Sequence, residues 1–177
     1  MADRIEFSVS ATPVETIQAG DGATNHDVMA AEVKQTVGGS GSAPVANYQG
    51  DNAKQGFGGN DATGGTKYYV NCVDNSYTQI SAESSASFVY IKNTGYLYSS
   101  SSALGNLLPN KECVEVITDN SAQTTIAFLA PGEAIVLKAL AATKTLDCTK
   151  IKVKAFDSDG SSAAASDHIA VEFLVVD

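Results

Sequence analysis

Two stretches near the C-terminal end decide how this chain is read: Lys150-Ile151-Lys152-Val153-Lys154-Ala155, and Ile169-Ala170-Val171-Glu172-Phe173-Leu174-Val175-Val176. In the first, lysines alternate with Ile151, Val153 and Ala155. In the second, Ile169, Val171, Phe173 and Val175 recur at every other position. Successive strand side chains point to opposite faces, so period-two alternation marks strands with one face in a core and one in water. Leu174 and Val176 make the second face of the last segment apolar as well, which predicts that its end is covered on both sides, by this chain or by a neighbour.

The same alternation occurs near the start, where Ile5, Phe7 and Val9 interleave with Glu6, Ser8 and Ser10. Further strands are expected at Tyr68–Val73, Ser87–Ile91, Val114–Thr118, Thr124–Leu129 and Ile135–Leu140. Turn residues separate them. Pro131-Gly132 suits the two central positions of a type II turn, which predicts that Thr124–Leu129 and Ile135–Leu140 are neighbours. Asn93-Thr94-Gly95, Pro109-Asn110 and Asp157-Ser158-Asp159-Gly160 read as further breaks. Met29, Val33 and Val37 can share a helical face, so residues 28–37 are the one helix candidate. Many short strands at this spacing predict an all-β chain, a jelly-roll-like β-sandwich.

Composition agrees. With 177 residues the chain is expected to form a single domain, large enough for its own core. Only 18% of residues are charged, and the balance is made up by small polar residues that favour sheet faces and turns over long helices. Residues 38–66 are rich in Gly, Ser, Asn and Asp, with Tyr48 and Phe57 their only aromatics. They read as a long loop or arm near the N-terminus of the domain. The Ser-rich Tyr98–Leu104 reads as a shorter excursion.

Charge narrows the partners. Eleven Lys and Arg against 20 Asp and Glu leave a net charge of -9, which repels phosphate backbones, so nucleic acid is not an expected partner. Met1-Ala2-Asp3-Arg4 runs straight into a strand pattern, and no run of about 18 apolar residues occurs, so cytoplasmic synthesis and no membrane partner are expected. Cys72, Cys113 and Cys148 are widely spaced beside apolar residues and read as buried, reduced thiols.

No catalytic cluster emerges, and an enzyme is not expected. Gly56–Lys67 (GFGGNDATGGTK) has glycines at phosphate-loop spacing, but Gly65-Thr66-Lys67 reverses the required order and the strand-to-helix context is missing. Asp157-Ser158-Asp159-Gly160-Ser161 opens like a calcium loop, yet His168 stands where the closing Glu belongs, so a tight turn is the better reading. His26 and His168 are isolated, and no G-x-S-x-G elbow occurs. No cofactor and no metal are expected. Lys150, Lys152 and Lys154 form a row on one strand face, read first as a solvated or edge-guarding charge row and second as a contact for an acidic neighbour.

Tyr is favoured in protein contacts because it is rigid and half polar. The tyrosines concentrate between residues 68 and 98, and Tyr96 and Tyr98 beside the Ser-rich stretch are candidate contact residues. Tyr48 and Phe57 in the Gly-rich segment, and Leu174 and Val176 at the doubly apolar end, complete the set.

Phe88-Val89-Tyr90-Ile91-Lys92-Asn93-Thr94-Gly95 and Pro131-Gly132-Glu133-Ala134-Ile135-Val136-Leu137 resemble segments of small virion proteins of tailed bacteriophages, in which an apolar strand ends in an Ile-Lys-Asn-Thr-Gly turn and a later strand follows Pro-Gly-Glu. The resemblance covers about the middle third of the chain. It implies a decoration or cement protein, made in the host cytoplasm and located in the virion. Such a protein binds the major capsid protein and other copies of itself, often as a homotrimer, and bridges shell subunits. A tail, neck or fibre component shares the same pattern. A carbohydrate-binding β-sandwich module is the alternative of another class, against which the lack of Trp counts.

Overall fold

The computed structural model describes residues 3–11, 14–18, 25–29, 37–45, 56–57, 71–81, 84–100, 103–108, 112–140, 144–157 and 168–176. The chain divides into two compact units, Arg4–Ala43 and Pro44–Asp177 together with Met1–Asp3. Every regular element among the described residues is a strand. The fold is all-β, and the larger unit is β-sandwich-like.

The smaller unit holds β2 (Val14–Gln18), β3 (Asn25–Met29) and all but the outermost residues of β1 (Asp3–Ala11) and β4 (Val37–Val45). β1 pairs with β4, and β2 with β3, where Ile17 faces His26 and Val14 faces Met29. Two expectations are corrected here. Val28 and Met29 end a strand and Val37 opens another, so residues 28–37 are not one helix; residues 30–36 lie outside the described set. Residues 38–45, read as loop for want of apolar side chains, form most of β4. The missing side chain of Gly38 is what allows the close approach to β1: a Cβ there would lie 2.7 Å from the Val9 carbonyl oxygen. β1 carries the predicted alternation, yet Val9 is 58% exposed, so its apolar face is not a closed core at that end.

The larger unit holds β5 (Gly56–Phe57), β6 (Asn71–Val73), β7 (Thr78–Gln79), β8 (Phe88–Ser100), β9 (Ala103–Leu107), β10 (Glu112–Asp119), β11 (Gln123–Leu129), β12 (Ala134–Lys138), β13 (Ile151–Asp157) and β14 (Ile169–Val176). One sheet runs β11-β10-β13-β7. The other runs β12-β8-β14-β5, with β6 also on β14 and β9 also on β8. The pairings for which a register is defined are antiparallel. Val114, Val116, Leu129, Ile151, Val153 and Ala155 of the first sheet share one buried cluster with Val89, Ile91, Ile169, Val171, Phe173 and Val175 of the second. These are the alternating positions of the sequence. Cys113 and Cys148 are buried and in no disulfide, as expected, and the Cys113 thiol donates to the Phe156 carbonyl at 3.1 Å; the Cys72 side chain lies outside the described residues.

The Pro131-Gly132 turn forms with the predicted geometry. Gly132 has φ +86°, which only Gly adopts cheaply, and the Glu133 N–H donates to the Ala130 carbonyl at 2.9 Å. Its strands are not paired neighbours, however: β11 and β12 belong to different sheets. The turn is an arch, and Asn93 is the reason. The Gly132 N–H donates to the Asn93 carbonyl at 2.9 Å, and the Asn93 N–H donates to the Glu133 carbonyl at 3.0 Å. The Asn93 Nδ2 donates to the Leu129 carbonyl at 3.0 Å, and its Oδ1 accepts from the Gly95 N–H at 3.0 Å. One fully buried amide thus ties the end of a strand in one sheet to the middle of a strand in the other.

Asn93-Thr94-Gly95 is likewise not a break. β8 runs through it as a bulge: Val171 faces Asn93 but Ile169 faces Leu97, so β8 spends more residues than β14 between the two pairs. Gly95 supplies φ +82°, and the Thr94 hydroxyl donates to the Ala170 carbonyl at 2.7 Å. The Phe88–Gly95 and Pro131–Leu137 segments, far apart in sequence, meet here, with Ile135 facing Ile91 and Leu137 facing Val89.

Candidate protein-docking surface

Past the bulge, β8 leaves β12 and pairs with β9, forming a hairpin. Tyr96 faces Leu107, Tyr98 faces Leu104 and Ser100 faces Ala103. The predicted Ser-rich excursion therefore takes in the end of β8 and the start of β9, with residues 101–102 outside the described set. Leu97 packs against the core, so strand alternation puts Tyr96 and Tyr98 on the opposite face, and Leu107 and Leu104 are their register partners in a ladder that shifts on both sides of Tyr98. A Cβ at Gly105 would lie 2.9 Å from the Leu97 carbonyl oxygen, so only glycine permits this approach. The hairpin is pinned at its base: the Leu108 N–H donates to the Gly95 carbonyl at 2.9 Å, the Tyr98 N–H donates to the His168 carbonyl at 2.7 Å, and the Leu108 side chain is buried.

The outer face of the hairpin stays open. Leu107 is 70% and Leu104 36% exposed, with Tyr96 and Tyr98 half-buried beside them. Residues 93–110 contain no charged side chain, in a chain whose net charge is -9. Two exposed leucines paired with two half-buried tyrosines, in a stretch without charge, are suited to excluding water against another protein surface.

The outer face of the other sheet is chemically different. Glu115 is almost fully buried there, although its register partner is Lys154. The Tyr77 hydroxyl donates to its Oε2 at 2.9 Å and the Thr125 hydroxyl to its Oε1 at 2.7 Å. The Lys154 Nζ lies 5.0 Å from the Tyr77 ring centroid and 5.2 Å from that of Phe156. Phe156 in turn contacts Phe128, with centroids 5.6 Å apart and planes tilted by 43°. Two lysines of the row, Lys152 and Lys154, are therefore met from within the chain, since Lys152 also pairs with Asp119 at 2.5 Å. That contact holds the Asp119 carboxyl below its ordinary value. Burial, followed by Asp157 and Glu115, pushes the Cys113 thiol up.

Burial and the Glu115 carboxylate raise the Tyr77 phenol. The folded chain therefore holds this proton more tightly than the unfolded chain does. The resulting stability is complete below the unfolded value of about 10 and is lost as pH rises through the folded value. Tyr77→Phe is expected to cost about 1–2 kcal/mol at neutral pH through the lost charge-assisted bond. The gap to the wild type should narrow in urea titrations repeated above about pH 10; a constant gap would deny the link to Glu115.

Of the six candidate contact residues, Tyr96 and Tyr98 share the hairpin face. Leu174 is half-buried and stands between Tyr90 on β8 and Phe57 on β5 in the pairing register, so two of the candidates, Leu174 and Phe57, are cross-strand partners. Val176 faces Phe88 in register, and Tyr48 lies outside the described residues. Leu104 and Leu107 were not among the sequence candidates. The signals for them were Gly105 between two leucines, marking a bulge, and the run without charge. Among known proteins, no family model, no curated sequence and no solved structure matches this chain.

Proposed function

We propose that this chain is a structural β-sandwich protein whose work is attachment to other protein chains, as an accessory of a phage head that binds the shell and bridges its subunits. The neutral Tyr96, Tyr98, Leu104 and Leu107 group carries this reading, because it suits a protein surface and offers neither a charged ligand nor a nucleophile. The phage part of the reading rests on the resemblance of the Phe88–Gly95 and Pro131–Leu137 segments to segments of phage virion proteins; the two segments pair with each other in the fold. A jelly-roll-like connectivity belongs to the same proposal. A clamp of this kind stabilises a shell by mass action, since it binds the assembled lattice and not the separated subunits, and lattice repetition adds avidity.

The test is cryo-electron microscopy and heat challenge of particles made without this chain. Loss of density from the head surface and a lower disruption temperature are expected. An unchanged head surface with unchanged heat resistance would sink the proposal. Copy number separates head from tail: decoration of a shell calls for on the order of hundreds of copies per particle, a tail or neck piece for far fewer, a consequence of lattice repetition. A sugar-binding role is less favoured by the Phe128–Phe156 pair, because rings tilted by 43° give a sugar no common plane to stack on.

A further inference from the structure

We infer that the outer face of the β11-β10-β13-β7 sheet is a second docking surface, and that it takes an acidic protein segment with an apolar side chain beside its carboxylates. This deepens the attachment role proposed above and rests on it, since a bridge needs two contact faces. Side-chain contacts define the face. Lys154 on β13 lies over the rings of Tyr77 and Phe156, Phe156 meets Phe128 of β11, and the Tyr77 hydroxyl donates to Glu115 of β10. Phe128 is 53% exposed, so the aromatic group reaches solvent.

Charge selects the partner. Lys150, Lys152 and Lys154 are the only place in this chain of net charge -9 where three cations fall within five residues, so an acidic partner meets least repulsion here. Asp119 takes Lys152. Glu115, the register partner of Lys154, is used otherwise: its two oxygens accept from the Tyr77 and Thr125 hydroxyls. The Lys154 ammonium rests on two rings instead, which attract it without cancelling its charge. The rings also fix where the ammonium stands, so less side-chain freedom is lost when a carboxylate reaches it. Phe128 adds exposed apolar surface through its contact with Phe156, which a phosphate backbone has no use for.

NMR titration of the isotope-labelled full chain with a synthetic peptide repeating Glu-Glu-Phe-Gly tests this, with a Gln-Gln-Phe-Gly peptide and inorganic polyphosphate as controls. The Glu peptide should shift the Phe128, Phe156 and Lys154 resonances saturably, and should bind about ten-fold more weakly when salt is raised from about 0.05 to 0.5 M. Lys154→Gln and Phe128→Ser should each weaken it by about five-fold or more. Lys154→Arg should retain it and Leu107→Asp, on the hairpin, should leave it unchanged, all four with unchanged circular dichroism. No saturable shift, equal binding of the Gln peptide, or polyphosphate binding that matches the Glu peptide and survives Phe128→Ser overturns the inference. Uptake by particles lacking the chain separates the two readings. If Leu107→Asp abolishes uptake and Lys154→Gln leaves it intact, the hairpin docks and this face is no second surface. If the Glu peptide binds as expected but the wild type is not taken up, the face stands and the phage-head reading fails.

Discussion

Asn93→Ala is expected to cost about 3 kcal/mol of stability, since it strands two buried groups, the Leu129 carbonyl and the Gly95 N–H, each worth about 1–3 kcal/mol when unsatisfied. The backbone bonds to Gly132 and Glu133 survive, so the arch should remain but loosen. In a chain of this size the melting temperature should fall by about 6–12 °C. Asn93→Asp is the sharper control. It keeps an acceptor for Gly95 but turns a carboxylate oxygen toward the Leu129 carbonyl inside the core, and it should be worse than alanine at neutral pH. Urea midpoints for the two variants decide the matter. Equal, small losses would mean that the Asn93 side chain is a passenger and that the backbone contacts alone hold the two sheets together at this corner.

The second large effect is Phe173→Ala. Phe173 lies on β14 opposite Ile91 and inside the cluster shared by the two sheets. Truncation removes the ring's burial and leaves a cavity that flanking Val171 and Val175 cannot fill, for a loss of about 3–5 kcal/mol. Phe173→Leu should recover most of it. Because hairpin residues 103–107 pair with β8 and not with β14, docking should weaken only in proportion to unfolding. If Phe173→Ala unfolds the protein outright, the stability margin is small, as native margins of about 5–15 kcal/mol allow, and the leucine variant then carries the comparison.

Much of the fold was readable because burial imposed a period. Val153 and Ala155, or Phe173 and Val175, had to alternate with solvent-facing neighbours. The eight segments read as strands, from Ile5–Val9 to Ile169–Val175, all contain strands. What escaped was set by backbone contacts that composition does not register. β4 is built from Gly and Ser, and its pairing depends on Gly38 having no side chain. Asn93-Thr94-Gly95 carries the residues of a turn, and only the distant Leu129 and Ala170 carbonyls make it a bulge. The Pro131-Gly132 turn was right in local geometry and wrong in what it joins, because one turn type serves both a hairpin and an arch. At the docking surface the tyrosines could be picked out by type. Leu104 and Leu107 were marked only by Gly105 and the uncharged run around them, and the pairing of β9 was needed to place them, since exposure is a property of the sheet and not of a residue.

The position of β14 has a kinetic consequence. This strand sits between β8 on one side and β5 and β6 on the other, yet it follows β8 by a long interval; Thr94 and Ala170 are 76 residues apart. At about 5–20 residues per second of synthesis, β8 would wait roughly 4–15 s for its partner on the ribosome. Until then Val89 and Ile91 have half a sheet to lie in. Contacts of such long range make for slow closure, and a newly made chain would pass through its most adhesive state before the sheet that hides those residues is complete.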